Sequence, residues 1–197
     1  MKIYTKTGDD GNTGLLGGVK VSKSHLAIET CGTIDELNSI IGVVGSHLET
    51  SATDDSNAQN ELLKQLRQIQ NDLFDLGSRV AACLTKVSDT SRSADFGPDK
   101  PVELESLIDR YDATLPALTA FILPSGSVAG CQLHLARSVC RRAERRLVEL
   151  SLSGVERDFP TEQIYLNRLS DLLFVLSRVV NRDAGIAETQ WQVTRTD

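Results

Sequence analysis

The chain is poor in the residues from which enzymes usually build nucleophiles and metal sites. Its three histidines, His25, His47 and His134, never follow a glutamate by three positions, so the ExxH pattern of di-iron helical bundles is missing. Neither an HExxH zinc motif nor a GxSxG nucleophile elbow is present. The four cysteines, Cys31, Cys83, Cys131 and Cys140, form no CxxC pair, which removes the common zinc and dithiol templates. Reduced, packed thiols are expected instead. Whatever chemistry the chain performs, a protein nucleophile is not its obvious agent, and no protein ligand to a metal is singled out.

Long apolar runs are scarce as well. The densest stretch, Leu172 to Val180, is interrupted by Ser177 and Arg178, too soon for a membrane span. The opening "MKIYTKTGDD" has no signal-peptide core. A cytoplasmic protein without a membrane anchor is expected. Positive charge is also in deficit: the formal net charge is −6, which disfavours a large nucleic-acid footprint. The exception is "RRAERR", Arg141 to Arg146. Basic charge concentrated in one short run of an acidic chain points to a small anionic ligand.

What the chain has in abundance is helical periodicity. Its 197 residues suffice for one domain with a full core, and 40% hydrophobic with 24% charged residues is an ordinary globular composition. Ile34, Leu37, Ile41, Val44 and Leu48 form one stripe, with Thr33 and Glu36 placed as a capping box at its start. Leu62, Leu66, Ile69, Leu73, Leu76 and Val80 predict a second helix over about 58–87, followed by the loop "SDTSRSADFGPDKP". Pro101 opens a short third helix through Leu107 and Tyr111, which Pro116 limits. "TAFILPSGS" reads as an extended connector. A fourth helix carries Leu133, Ala136, Cys140, Ala143, Leu147 and Leu150 and ends near Ser153 and Gly154. The fifth runs from Pro160 to about Ala184, with Tyr165, Leu169, Leu172, Leu176 and Val179 on one side and Leu166, Leu173 and Val180 on another. Such breadth implies burial within the bundle or sharing with a partner subunit. No segment after Gly18 alternates as a strand does, so an all-α antiparallel bundle is expected.

Two features could grip an anion. "YTKTGDDGNTGLLGG", Tyr4 to Gly18, holds five glycines and three threonines but lacks the Gly-Lys-Ser/Thr ending of a P-loop. On the fourth helix, Arg137, Arg141 and Glu144 fall within about 60° of one another beside the apolar stripe. Arg137 and Arg141 are a mildly unfavourable i,i+4 like-charge pair, so something anionic should face them. The alternative is a solvated face in which Glu144 neutralises one arginine and Glu149 pairs with Arg145. The fifth helix carries Asn167, Asp171, Phe174 and Arg178 as a polar stripe in an apolar setting, bonded either to neighbouring helices or to a ligand. Asp35, Asn38, Gly42 and Gly45 repeat that spacing on the first helix, the glycines admitting a backbone or a flat ligand. For His134, a packed helix residue is expected rather than a ligand.

Together, "YTKTGDDGNTGLLGG", "VSK" at Val21 to Lys23, "GTIDELNS" at Gly32 to Ser39, "RSVCRRAERRLV" at Arg137 to Val148 and "YLNRLSDLLFVLSR" at Tyr165 to Arg178 resemble the ATP:cob(I)alamin adenosyltransferases of the PduO class, in order over nearly the whole chain. The resemblance implies a ferritin-like five-helix bundle, assembled as a homotrimer with active sites between subunits. It implies transfer of the 5′-deoxyadenosyl group of ATP to the cobalt of cob(I)alamin with release of tripolyphosphate, reduced cobalt being the nucleophile.

By the same resemblance, Thr5, Lys6, Thr7, Gly8 and Thr13 surround the triphosphate and Lys23 adds a charge. Arg141, Arg142 and Arg145 neutralise the leaving group, Glu144 orients them or the ribose, and Asn167 contacts the nucleotide. Mg²⁺ is implied on the triphosphate, held by phosphate oxygens and water. Asp35 and Arg137 match a salt bridge across the subunit interface, and Phe121 matches an aromatic beneath the corrin that displaces the lower axial ligand of cob(II)alamin before reduction. Without the resemblance Phe121 could equally be core. A reductase supplying electrons and a cobalamin-dependent enzyme receiving the product are implied partners; neither nucleic acid nor membrane is. Residues 1–197 are read as one domain: a Gly-rich nucleotide-binding segment over 1–32, the bundle over 33–186 and a tail over 187–197. Ala27 and Cys31 stand where the family commonly has Arg and Tyr, which bears on fine details of the pocket. The alternative function is a bundle that carries or senses ATP or a corrinoid without efficient turnover.

Overall fold

The computed structural model describes residues 3–4, 6–15, 18–50, 57–84, 96–155 and 157–192. Its five helices are α1 (Leu26–Thr50), α2 (Asn57–Ala81), α3 (Asp99–Asp112), α4 (Val128–Leu152) and α5 (Pro160–Asp183). Ahead of them β1 (Asn12–Gly14) and β2 (Lys20–Ser22) pair antiparallel, with Thr13 opposite Val21. The five-helix bundle is as the periodicity predicts. The hairpin corrects the expectation of no strand after Gly18: three-residue strands are too short to leave an alternating trace.

Side-chain pairings give the helix directions. Cys31 meets Gly77, Asn38 meets Gln70 and a Cβ at Gly45 would meet Leu63, so numbers fall along α2 as they rise along α1. Thr30 with Arg146 and Glu36 with Arg142 make α1 and α4 antiparallel, and His134 with Ser177 and Ser151 with Gln163 do the same for α4 and α5. Glu105 with Arg168 and Asp112 with Arg178 set α3 parallel to α5. The apolar stripes of all five helices close on one core. Helix α4 packs against one flank of α5 and α3 against another, so the broad apolar surface of α5 is buried within a single chain.

Three boundaries differ from expectation. Thr33 is not a cap: α1 starts at Leu26, where the His25 imidazole accepts the Ala27 N–H at 3.1 Å, and the Thr33 hydroxyl donates back to the Glu29 carbonyl at 2.8 Å. Helix α2 ends at Ala81 rather than near 87, its last turn tightening as the Cys83 N–H bonds the Val80 carbonyl; residues 85–95, most of the expected loop, lie outside the described residues. Helix α3 begins at Asp99, two residues before Pro101. The start of α4 is the most constrained. The Ser127 Oγ accepts the Gly130 N–H, while Asn181 on α5 accepts both the Ser127 N–H and hydroxyl and donates to the Ser125 carbonyl. Gly126 sits at φ +123 with the Asn181 side chain 2.3 Å from where a Cβ would lie, so only glycine fits.

The glycines and polar residues of α1 have a packing role. Asn38 and Gln70 exchange side-chain-to-carbonyl bonds, and a Cβ on Gly42 would stand 3.3 Å from the Gln70 amide nitrogen. The stripe therefore brings α1 close to α2 rather than holding a flat ligand. All four cysteines are free; burial pushes the Cys31 thiol up to about 11, and the Cys140 thiol, fully buried, donates to the Leu166 carbonyl.

His134 packs as expected, its Nε2 3.2 Å from the Ser177 hydroxyl and its ring edge-on to Phe174. Burial, then the nearby Arg137 charge, pushes its pKa below the ordinary 6.5, with Glu188 opposing. The unfolded chain therefore accepts a proton that the folded chain resists. Stability is full above the unfolded value and is lost as pH falls through the folded one. Urea midpoints taken between about pH 7.5 and about pH 5 should fall more steeply for the native chain than for His134→Asn; parallel slopes would remove His134 as the cause.

Candidate active site

Helix α4 carries the cationic face. Arg137, Arg141 and Arg145 succeed one another at i,i+4, a geometry that keeps them on one side of the helix. Among the described residues neither Arg141 nor Arg145 forms an ion pair, and both are exposed. The compensating pairs of a solvated face go elsewhere: Glu149 pairs with Arg146 rather than Arg145, and Arg142 is taken by Glu36 on α1. Three like charges are thus stacked along one face without a carboxylate bound to them, which is unfavourable on a bare helix.

Glu144 is occupied otherwise. Its Oε1 accepts the Asn167 Nδ2 at 3.0 Å across the α4–α5 seam. Asn167 is itself oriented, since its Oδ1 accepts from Arg168 at 2.6 Å and Arg168 Nε is held by Glu105 on α3 at 2.7 Å. With the amide oxygen committed to a guanidinium, only the amide nitrogen can face Glu144. The line Glu105–Arg168–Asn167–Glu144 fixes a carboxylate beside the arginines. Sequence reasoning missed Arg168 and Glu105; the only trace of Arg168 was its adjacency to Asn167.

Arg137 and Asp35 do not meet within the chain. The antiparallel register of α1 and α4 puts Asp35 level with residue 142, about 7 Å along the axis from Arg137. Asp35 is exposed, and Arg137 is half-buried with its Nε wholly buried and without a partner. A buried guanidinium nitrogen left unpaired is unfavourable.

The Gly-rich opening forms a compact second feature. Lys6 adopts φ 60, in the left-handed region that non-glycine residues rarely enter. The Lys23 N–H donates to the Gly11 carbonyl at 2.9 Å, and its ammonium lies 3.3 Å from where a Gly8 Cβ would be. Gly8 thus leaves space for the Lys23 charge over a turn of backbone, as anion sites require. Lys6 and Thr7 are exposed, and Thr13 lies in β1. Thr5 lies outside the described residues. Among the described residues neither strand of the hairpin makes an extended contact with a helix of its own chain.

Phe121 lies in the connector between α3 and α4 and is 80% exposed, which excludes the alternative that it is core. Asp171 is exposed, whereas Arg178 from the same stripe is 2% exposed and bonded to Glu188, the Pro116 carbonyl and Asp112. Arg178 is a structural tie. Ala27 is fully buried and Cys31 donates toward the Gly77 carbonyl, so both departures from the usual pattern are packing positions.

A cavity of about 770 Å³ lies away from these residues, lined by Leu48, Leu62, Tyr111, Val179 and Arg182 among others at the far ends of the helices. Among the described residues no three His, Cys, Asp or Glu side chains converge as a metal cage, and no helix is long and apolar enough to cross a membrane.

The sequence pattern of the family described as cobalamin adenosyltransferase matches residues 3–180. The corrinoid adenosyltransferase of Bacillus subtilis is 44% identical over 195 residues, covering 98% of this chain and 93% of the relative. The cobalamin adenosyltransferase of Cupriavidus metallidurans is 43% identical, covering 98% and 96%. Among solved structures, a variant PduO-type ATP:corrinoid adenosyltransferase from Lactobacillus reuteri, complexed with cobalamin and ATP, superposes with a TM-score of 0.83 at 33% identity, covering 97% of each chain.

Proposed function

The chain belongs to the cobalamin adenosyltransferase family and transfers the 5′-deoxyadenosyl group of ATP to the cobalt of cob(I)alamin; from that premise we propose that the reaction occurs between two copies, in a homotrimer, with α4 of one facing the hairpin of the next. The cobalt(I) electron pair attacks C5′ of the ribose, the C5′–O bond breaks, and tripolyphosphate leaves with the bonding electrons. No protein nucleophile takes part, in keeping with the shortage of suitable residues. The protein has to align the two substrates and stabilise charge on the leaving oxygens.

Arg141 and Arg145 supply that stabilisation, their planar forks matching phosphate oxygens. Arg142 adds to the field after exchanging Glu36 for phosphate. Glu144, held by Asn167, orients the nucleotide or the arginines. Lys6, Thr7, Gly8, Thr13 and Lys23 embrace the triphosphate from the neighbouring copy, with Thr5 beside them. Mg²⁺ would be held by the triphosphate oxygens and water, where it would offset the charge of the leaving group. Asp35 of one copy pairs with Arg137 of another and shapes the corrinoid pocket. Phe121 faces the lower side of the corrin, where displacing the axial ligand eases reduction of cob(II)alamin by a separate reductase; a cobalamin-dependent enzyme takes the product.

The observation that carries this reading is the unpaired i,i+4 arginine face beside an already oriented Glu144. Protein, ATP, Mg²⁺ and chemically reduced cobalamin, mixed anaerobically, should develop the alkylcobalamin spectrum catalytically. Corrinoid binding without conversion would favour a carrier or sensor.

A further inference from the structure

Two segments distant in sequence are clasped together. The connector between α3 and α4 is tied to α5 at both ends: Arg182 donates to Thr114, Arg178 to the Pro116 carbonyl, and Asn181 to the Ser125 carbonyl. The chain after α5 then returns along the middle of that connector. The Ile186 N–H bonds the Asn181 carbonyl, Glu188 accepts from buried Arg178 Nε at 2.6 Å, and Ile122 and Gln190 form an antiparallel bridge. Leu123 N–H donates to the Thr189 carbonyl at 2.8 Å, and Trp191 N–H to the Phe121 carbonyl at 2.7 Å. The Trp191 ring stands edge-on to Phe121 at 6.3 Å and 75°.

Phe121 is 80% and Trp191 52% exposed, and Leu118, Leu123 and Ile186 on the same two segments are exposed too. Two strands this short do not order alone. The bonds from α5 hold both backbones and leave aromatic side chains facing outward, as a surface for an apolar ligand requires. One side of Phe121 is therefore closed by indole before any ligand arrives.

We propose that Trp191 is a positioning residue for Phe121: its ring holds the phenyl in the pose that meets the lower face of the corrinoid, while its backbone N–H ties the Phe121 carbonyl and Arg178 and Glu188 anchor the returning segment. The inference rests on the placement of Phe121 given under the proposed function.

Trp191 is the only tryptophan in the chain, so its emission reports on the clasp. Corrin absorption overlaps indole emission, and adding cob(II)alamin to the ATP-loaded native protein should quench fluorescence saturably. The midpoint should match the corrinoid's own spectral change on binding. A corrinoid spectral change without quenching overturns the clasp and leaves the proposed function standing; the absence of any corrinoid binding overturns both. Rates are then compared for reactions started from cob(II)alamin with a reduced flavin as one-electron donor and from pre-reduced cob(I)alamin. Trp191→Ala should slow the first by about 3- to 10-fold more than the second, the size of a lost aromatic edge contact. The KM for ATP should not change, and Trp191→Phe should restore most of the loss. Equal effects on both reactions, or no rescue by phenylalanine, would overturn the positioning role.

Discussion

Arg141→Ala is expected to lower kcat by roughly 10²- to 10³-fold, the loss seen when one preorganised donor to a developing oxyanion is removed. The argument is electrostatic. Charge appears on the triphosphate oxygens as the C5′–O bond breaks, so an arginine facing them acts more strongly in the transition state than on bound ATP. Because Arg141 makes no ion pair among the described residues, its charge is available to a ligand and its removal frees none of their carboxylates. The KM for ATP should change less than kcat, which separates transition-state stabilisation from uniform binding. Arg141→Lys should recover only part of the loss, since a point charge cannot bridge two oxygens as a guanidinium does. A kcat within about twofold of the native value would remove Arg141 from the reaction.

Asp72→Ala is expected to destabilise the fold by about 3–5 kcal/mol without touching the site. Asp72 on α2 is only 4% exposed, yet it accepts from Lys100 on α3, from Gln68, and from the Tyr165 hydroxyl on α5 at 3.0 Å. Phe96 closes the cluster, its ring 5.1 Å from Tyr165 and under the Lys100 ammonium. Burial and the Asp72 charge push the Tyr165 phenol up, so it stays protonated and keeps donating. Truncating Asp72 strands a buried hydroxyl and leaves the largely buried Lys100 ammonium only Asp75, 3.9 Å away. For a chain of this size the loss corresponds to a melting shift of roughly 6–20 °C, read at fixed protein concentration. Asp72→Asn, which keeps an acceptor for Tyr165, should lose less. A shift below about 2 °C for the alanine variant would contradict the reading of this cluster as a tie between α2, α3 and α5.

Helices α4 and α5 were legible because their stripes run unbroken for about four to five turns, and α2 was legible as far as Val80. The start of α1 was not: Gly32-Thr33-x-x-Glu36 imitates a stop and a capping box, whereas the helix runs through both with Gly32 on an exposed face. In the site, the arginine face and Asn167 follow from helical spacing. Their partners do not, because Arg168 and Glu105 act through hydrogen bonds between helices. Arg178 shows the converse: an arginine in an apolar helix looks alike on paper whether it holds a ligand or, as here, a carbonyl and two carboxylates. Phe121 came from family resemblance, and its pairing with Trp191 lies between irregular segments that leave no periodic signature.

The central claim is that one copy's hairpin and another copy's α4 make each site, and mixed trimers test it directly. Arg141→Ala chains and Lys6→Ala/Lys23→Ala chains, each impaired alone, are unfolded together and refolded at equal amounts. If sites form between copies, about a quarter of those in randomly mixed trimers unite an intact hairpin with an intact α4, and activity should recover to near that fraction of native. Activity no higher than the mean of the two parent variants would mean that each chain builds its site alone.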